Sequence, residues 1–204
     1  VILSMALTPI VVLLLDRFLP RPAISMHGIE EPPCLTGRVL IIGFGRFGQV
    51  VSQPLLARDV DISIIDADVD MIRAAGNFGF KVYYGDGTRL DVLRTSGAGK
   101  ADAILVCIDK PELADRIVEL AKLEFPQARL YVRSFDRGHT LRLIQAGVDY
   151  QVRETFESAM VFGEHVLKGL GYAQDETAET LADVRQRDED RLGLELIGGI
   201  AAGR

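Results

Sequence analysis

Apolar positions fall along this chain in two rhythms. Short continuous runs rich in Val and Ile alternate with longer stretches where apolar residues recur every three or four positions. The first rhythm marks buried strands and the second amphipathic helices. On this pattern RVLIIG (38–43) is a strand and RFGQVVSQPLLARD (46–59) a helix. DISIID (61–66) is a second strand, VDMIRAAGNFG (69–79) a helix stopping on glycine, and KVYYGD (81–86) a third strand. TRLDVLRTSGAG (88–99) is a short helix and turn, ADAILVCI (101–108) a fourth strand, and PELADRIVELAKLEF (111–125) a helix with proline in its first turn. ARLYVRSF (128–135), RGHTLRLIQAG (137–147) and VDYQVRE (148–154) read as strand, helix and strand, and a long helix follows over about 155–170. Pro54 lies well inside the first helix, where a missing N–H costs ~3 kcal/mol, so a kink or a re-angled second half is expected there.

Strands alternating with helices of this length define a parallel, doubly wound α/β sheet, and six strands in two halves suit the Rossmann arrangement. Outside it, residues 1–15 are almost wholly apolar, and no charge precedes Asp16. That run is shorter than the ~20 residues of a spanning helix, so length alone also fits a buried core helix. It has no basic leader or small-residue cleavage site, and Arg17 and Arg21 follow it as at a cytoplasmic exit. The end of a transmembrane helix is the reading adopted. Residues 16–37 carry four prolines and little periodicity and read as a linker. The body is then 38–154, the following helix 155–172, and 173–204 a charged tail that is either an exposed helix or disordered.

Composition changes this picture mainly by exclusion. Apolar residues make up 48% and charged residues 25% of 204, an ordinary globular balance. A net charge of −6 without a basic patch argues against nucleic acid as a partner. The two cysteines, Cys34 and Cys107, stand far apart, as in a reducing compartment. His27, His139 and His165 show no metal-ligand spacing.

The strongest motif is GFGRFG (43–48), directly after a strand and opening a helix. Gly43 permits the tight turn, Gly45 lets a diphosphate approach the backbone, and Gly48 lets the helix pack close to the sheet. The helix N-terminus offers N–H groups and partial positive charge to a phosphate. Asp66 ends the second strand, 18 residues after Gly48, where a carboxylate accepts both ribose hydroxyls and repels a 2′-phosphate. NAD(H) or an adenine mononucleotide is therefore expected over NADP. GDGT (85–88) ends the third strand at the same rim. There Asp86 either reaches the adenosine or makes a plain Asp-Gly turn, and Thr88 is a candidate helix cap. CIDKPE (107–112) ends the fourth, where Asp109 either caps the next helix or lines the cleft. Phe44, Arg46, Phe47, Ala67, Asp68, Gly85, Gly87, Cys107 and Ile108 belong to these same loops and complete the candidate nucleotide site.

No catalytic apparatus accompanies it. There is no Tyr-x-x-x-Lys pair, no GxSxG elbow and no cysteine with a nearby histidine, and about 50 residues after the sixth strand are too few for a catalytic domain. Two readings remain: a ligand-sensing regulatory domain, and an NAD-dependent oxidoreductase fragment lacking its catalytic domain.

GFGRFGQ (43–49), IDAD (65–68), YGDGTR (84–89), RLIQAGVDY (142–150) and RETFESA (153–159) closely resemble the Kef-type glutathione-gated potassium-efflux systems of the monovalent cation:proton antiporter family 2. SMALTP (4–9) resembles the end of the last membrane helix of such antiporters. The resemblance implies an RCK N-terminal (TrkA-N) domain: a Rossmann dimer on the cytoplasmic side of the inner membrane, binding NAD(H) or AMP-like nucleotides and gating the attached transporter. By position it places Gly43, Gly45, Arg46, Phe47, Gly48, Asp66, Asp86 and Thr88 in the nucleotide cleft, and the helix from Phe156 to Leu170 in the dimer contact. It offers Arg133 and Arg142 as counterparts of arginines that bind glutathione or its adducts. An asparagine that shares this role in the family has no match, since acidic RQRDEDR (185–191) occupies its region.

Overall fold

The computed structural model describes residues 28–198. The membrane-helix reading of 1–15 and most of the linker lie outside the described residues. The strands are β1 (Val39–Ile42), β2 (Ile62–Asp66), β3 (Tyr83–Tyr84), β4 (Ala103–Val106), β5 (Arg129–Ser134) and β6 (Tyr150–Arg153). The helices are α1 (Arg46–Leu56), α2 (Val69–Asn77), α3 (Leu90–Thr95), α4 (Pro111–Glu124), α5 (Arg137–Gln145), α6 (Glu154–Gly169) and α7 (Gln174–Gly198). All strand pairs are parallel, in the order β3-β2-β1-β4-β5-β6. This is the doubly wound order, with its switch point between β1 and β4.

The period of two along β1 builds both cores. Leu40 and Ile42 point to one face, with Ile104 and Val106 of β4, under Leu93, Ile117 and Leu143 of α3, α4 and α5. Val39 and Ile41 point to the other, with Ile64, under Ile72 and Ala75 of α2. Each such aliphatic side chain contributes about 1.5–3 kcal/mol through burial. The second face is less completely covered beyond β1. There α1 and the sheet leave an apolar groove of about 510 Å³, lined by Phe47, Val51 and Pro54 of α1 and by Leu105, Tyr131 and Val152 of the sheet.

Several boundaries differ from the sequence expectation. β3 shrinks from 81–86 to two residues, because it pairs only with the end of β2, at Ile65↔Tyr83 and Asp66↔Tyr84. Its outer edge is closed by the incoming segment, whose Glu30 carbonyl accepts the Tyr84 N–H at 2.8 Å. The same segment is fastened further on, where Leu35 N–H donates to Thr95 and Gly37 N–H to Ser63 Oγ. Pro54 falls in the final turn of α1, and the helix stops two residues later at Leu56. Residues 174–198 are helical rather than disordered. This helix carries charge all round, and ion pairs fasten it to the body. Arg185 meets Glu157 of α6 at 2.6 Å, and Arg137 meets both Asp188 and Glu195 at 2.7 Å.

Candidate nucleotide site

The loops after β1, β2 and β4 converge on one crevice of about 570 Å³ at the carboxyl ends of the strands. Gly43 and Gly45 come from the first loop, Asp66 to Met71 from the second, and Cys107 to Lys110 from the fourth, with Leu113 of α4 beyond. The sequence fixes each loop locally. Gly43 has φ +94°, and a Cβ there would lie 2.7 Å from Ile108 Cγ2. A Cβ on Gly48 would lie 2.2 Å from the Gly43 carbonyl oxygen, so only glycine lets α1 start this close to the strand end. A Cβ on Gly45 would meet nothing within 4 Å.

Gly45 is the N-cap of α1 and supplies no side-chain cap, and the first turn carries no acid. The helix therefore presents its leading N–H groups and positive dipole end to the crevice without a built-in acceptor. That arrangement fits a phosphate.

Asp66 ties the first two loops together. One carboxylate oxygen accepts the Phe44 N–H at 2.5 Å and the other the Asp68 N–H at 2.7 Å. Asp68 in turn caps α2, accepting from Asp70 and Met71 N–H. A carboxylate oxygen has more than one lone pair, so Asp66 keeps capacity for a ribose hydroxyl. Burial pushes the Cys107 thiol up to about 12, which keeps it protonated and a poor nucleophile.

Other predicted residues stand differently. The Phe44 side chain is fully buried against Phe80, with ring centroids 5.1 Å apart, and meets the site only through its backbone. Arg46 is exposed at the first helical position, and Phe47 lines the apolar groove instead of the crevice. Gly85 packs against Val92 and Ile65, and Gly87 against Ile42 and Ile117, so this loop supports the rim by packing. Thr88 does not cap α3: its N–H and hydroxyl both donate to Asp86 Oδ1, at 3.0 and 2.7 Å, and Arg89 holds the cap position. Asp109 does not cap α4, whose N-cap is Lys110. It pairs with Arg133.

The two candidate effector arginines are not brought together. Arg142 binds Asp115 of α4 at 2.9 Å, beside the buried His139. Arg133 stands at the strand ends, between Asp109 and Glu154 and over the Phe47 ring. The arginines that do converge are Arg137 and Arg153, both on Asp188 of α7. Sequence reasoning missed them, because a partner 35 to 51 residues away leaves no local spacing to read.

Six parallel strands in this order, with a glycine turn and an acidic strand end facing the switch-point crevice, define a domain of the Rossmann class. The chain belongs to the TrkA-N domain family, whose model matches residues 39–154. It is 39% identical over 207 residues to a glutathione-regulated potassium-efflux system protein of Haemophilus influenzae, covering 98% of this chain and 34% of that protein. It is 40% identical over 187 residues to the protein KefC of the same system in Escherichia coli, covering 92% of this chain and 30% of the other. The chain thus spans about a third of the length of these relatives. Among solved structures, a Shewanella denitrificans Kef CTD in AMP-bound form is 35% identical with a TM-score of 0.69, over 78% of this chain and 97% of that one. The GsuK channel bound to NAD shares the fold, at 20% identity and a TM-score of 0.56, over 80% of this chain and 28% of that one.

Proposed function

We propose that this chain is the regulatory region of a membrane potassium:proton antiporter of the Kef type, and that its crevice binds an adenine nucleotide, AMP-like or NAD(H). The carrying observation is the crevice itself. Gly45 has open space before it, α1 has an uncapped N-terminus, and Asp66 lines the same crevice. The AMP-bound Kef relative supports the nucleotide, and the potassium-efflux relatives support the attached transporter. A gate responds only where the nucleotide binds two conformations with different affinity. The laced segment 28–37 is the covalent route along which a change in the body would pull on what precedes it.

The potassium-efflux relatives favour the regulatory reading over an oxidoreductase. Arg133 and Arg142 face different partners, so the two do not converge on one ligand.

The proposed assembly is a homodimer through α6. Val161, Phe162, Val166 and Leu170 leave that helix with an exposed apolar stripe, and the sheet groove beside α1 is apolar too. A second copy covers such surfaces.

The test is thermal unfolding of the 204-residue chain with AMP, ADP, NAD+ and NADH. A ligand at 100 times its Kd adds about 2.7 kcal/mol, which raises Tm by roughly 5–10 °C for a domain of this size. A Tm unmoved by all four nucleotides overturns the proposal.

A further inference from the structure

The crevice is asymmetric. A doubly wound sheet offers one mononucleotide half on β1 to β3 and a second on β4 to β6, and a dinucleotide lies across both. The observed crevice draws its lining from the loops after β1, β2 and β4 and from α4, and no residue of β5 or β6 contributes. An ionic belt runs across the second half instead. Asp109, after β4, pairs with Arg133 of β5, and Arg133 pairs on its other side with Glu154 at the end of β6, at 2.6 Å. The Arg133 guanidinium also lies over the Phe47 ring, 5.4 Å from its centroid, just behind the glycine turn. Three partners hold it, and its side chain is only 17% exposed.

We infer that the Asp109–Arg133–Glu154 belt is the specificity determinant of this crevice, selecting adenine mononucleotides and excluding the second half of a dinucleotide. The inference rests on the nucleotide-binding reading above and goes further by choosing between its ligands. Two effects act together. The stacked guanidinium occupies the rim over which a second ribose and base would lie. The belt also carries two carboxylates for one guanidinium, so a second phosphate arriving there meets net negative charge at short range. A mononucleotide with its phosphate at the N-terminus of α1 needs no room in that second half.

The experiment is calorimetric titration of the 204-residue chain with AMP and with NADH. The wild type binds AMP more tightly than NADH. Glu154→Gln, which removes one of the two carboxylates and leaves Arg133 paired with Asp109, raises NADH affinity relative to AMP about tenfold or more. Asp109→Ala, at a side chain 73% exposed and so safe for folding, shifts the ratio in the same direction. Arg116→Met, which breaks a surface pair with Glu119 elsewhere on α4, leaves the ratio at its wild-type value. A wild type that prefers NADH, or a ratio that both belt variants leave unchanged, overturns the inference while nucleotide binding stands. Failure of either ligand to bind the wild type overturns the proposed function and the inference with it.

Discussion

The Asp66 carboxylate accepts the backbone N–H of Phe44 at 2.5 Å, across 22 residues of chain. This bond fixes the glycine turn against the end of β2, so one carboxylate both shapes that turn and lines the crevice. Asp66→Asn is expected to weaken AMP binding about tenfold or more while costing only ~1–2 kcal/mol of stability, since the amide oxygen still accepts one N–H. Calorimetric titration and urea unfolding separate the two effects.

Gly45 and Gly48 differ in what surrounds them. Gly48→Ala puts a methyl 2.2 Å from the Gly43 carbonyl oxygen and is expected to cost about 3 kcal/mol or more, lowering the urea midpoint. Gly45→Ala meets no protein atom and costs at most ~1 kcal/mol as a changed N-cap, yet its methyl enters the space facing the helix end. Nucleotide affinity should fall sharply for Gly45→Ala with the urea midpoint almost unchanged.

His139 gives the body a pH dependence. It is buried, its Nδ1 accepts the Phe135 N–H at 3.1 Å, and Nε2 lies 3.2 Å from Asp115. Burial lowers its pKa from the ordinary 6.5, against the pull of Asp115 and with the push of Arg142. The unfolded chain therefore binds the proton first as pH falls, so stability is full above about 6.5 and declines below it. A Tm series from about pH 8 to pH 5 should fall at the acid end, and His139→Gln should flatten that part of the slope.

Arg137 anchors the tail helix. It pairs with Asp188 and with Glu195, whose side chain is 6% exposed. Arg137→Met leaves the buried Glu195 uncompensated, while Asp188 keeps Arg153, and is expected to destabilise docking of α7 by about 2 kcal/mol or more. Limited proteolysis should then cut between α6 and α7 while the Rossmann body stays intact. Equal resistance in wild type and variant would refute the anchoring role.

Phe162 is 73% exposed in the middle of α6. Phe162→Asp should convert a dimer of the 204-residue chain to monomer by light scattering, with little change in the far-ultraviolet spectrum. A wild type that is already monomeric at micromolar concentration removes α6 as the dimer contact.

The doubly wound fold was legible because each strand is a continuous apolar run and each helix repeats every three to four residues. Both patterns are local. The glycine turn and Asp66 were legible for the same reason, since a tight turn and a strand end impose their residue types over a few positions. Sequence alone thus determined the class of fold, the place of the glycine turn and the acidic strand end facing it. Only the tertiary structure decided which polar side chains pair. It took Thr88 from its expected cap, chose the cleft over the cap for Asp109, sent Arg133 and Arg142 to different partners, and drew Arg137 and Arg153 onto Asp188. Ion pairs form wherever the fold brings opposite charges within reach, at any separation along the chain, and no periodicity announces them.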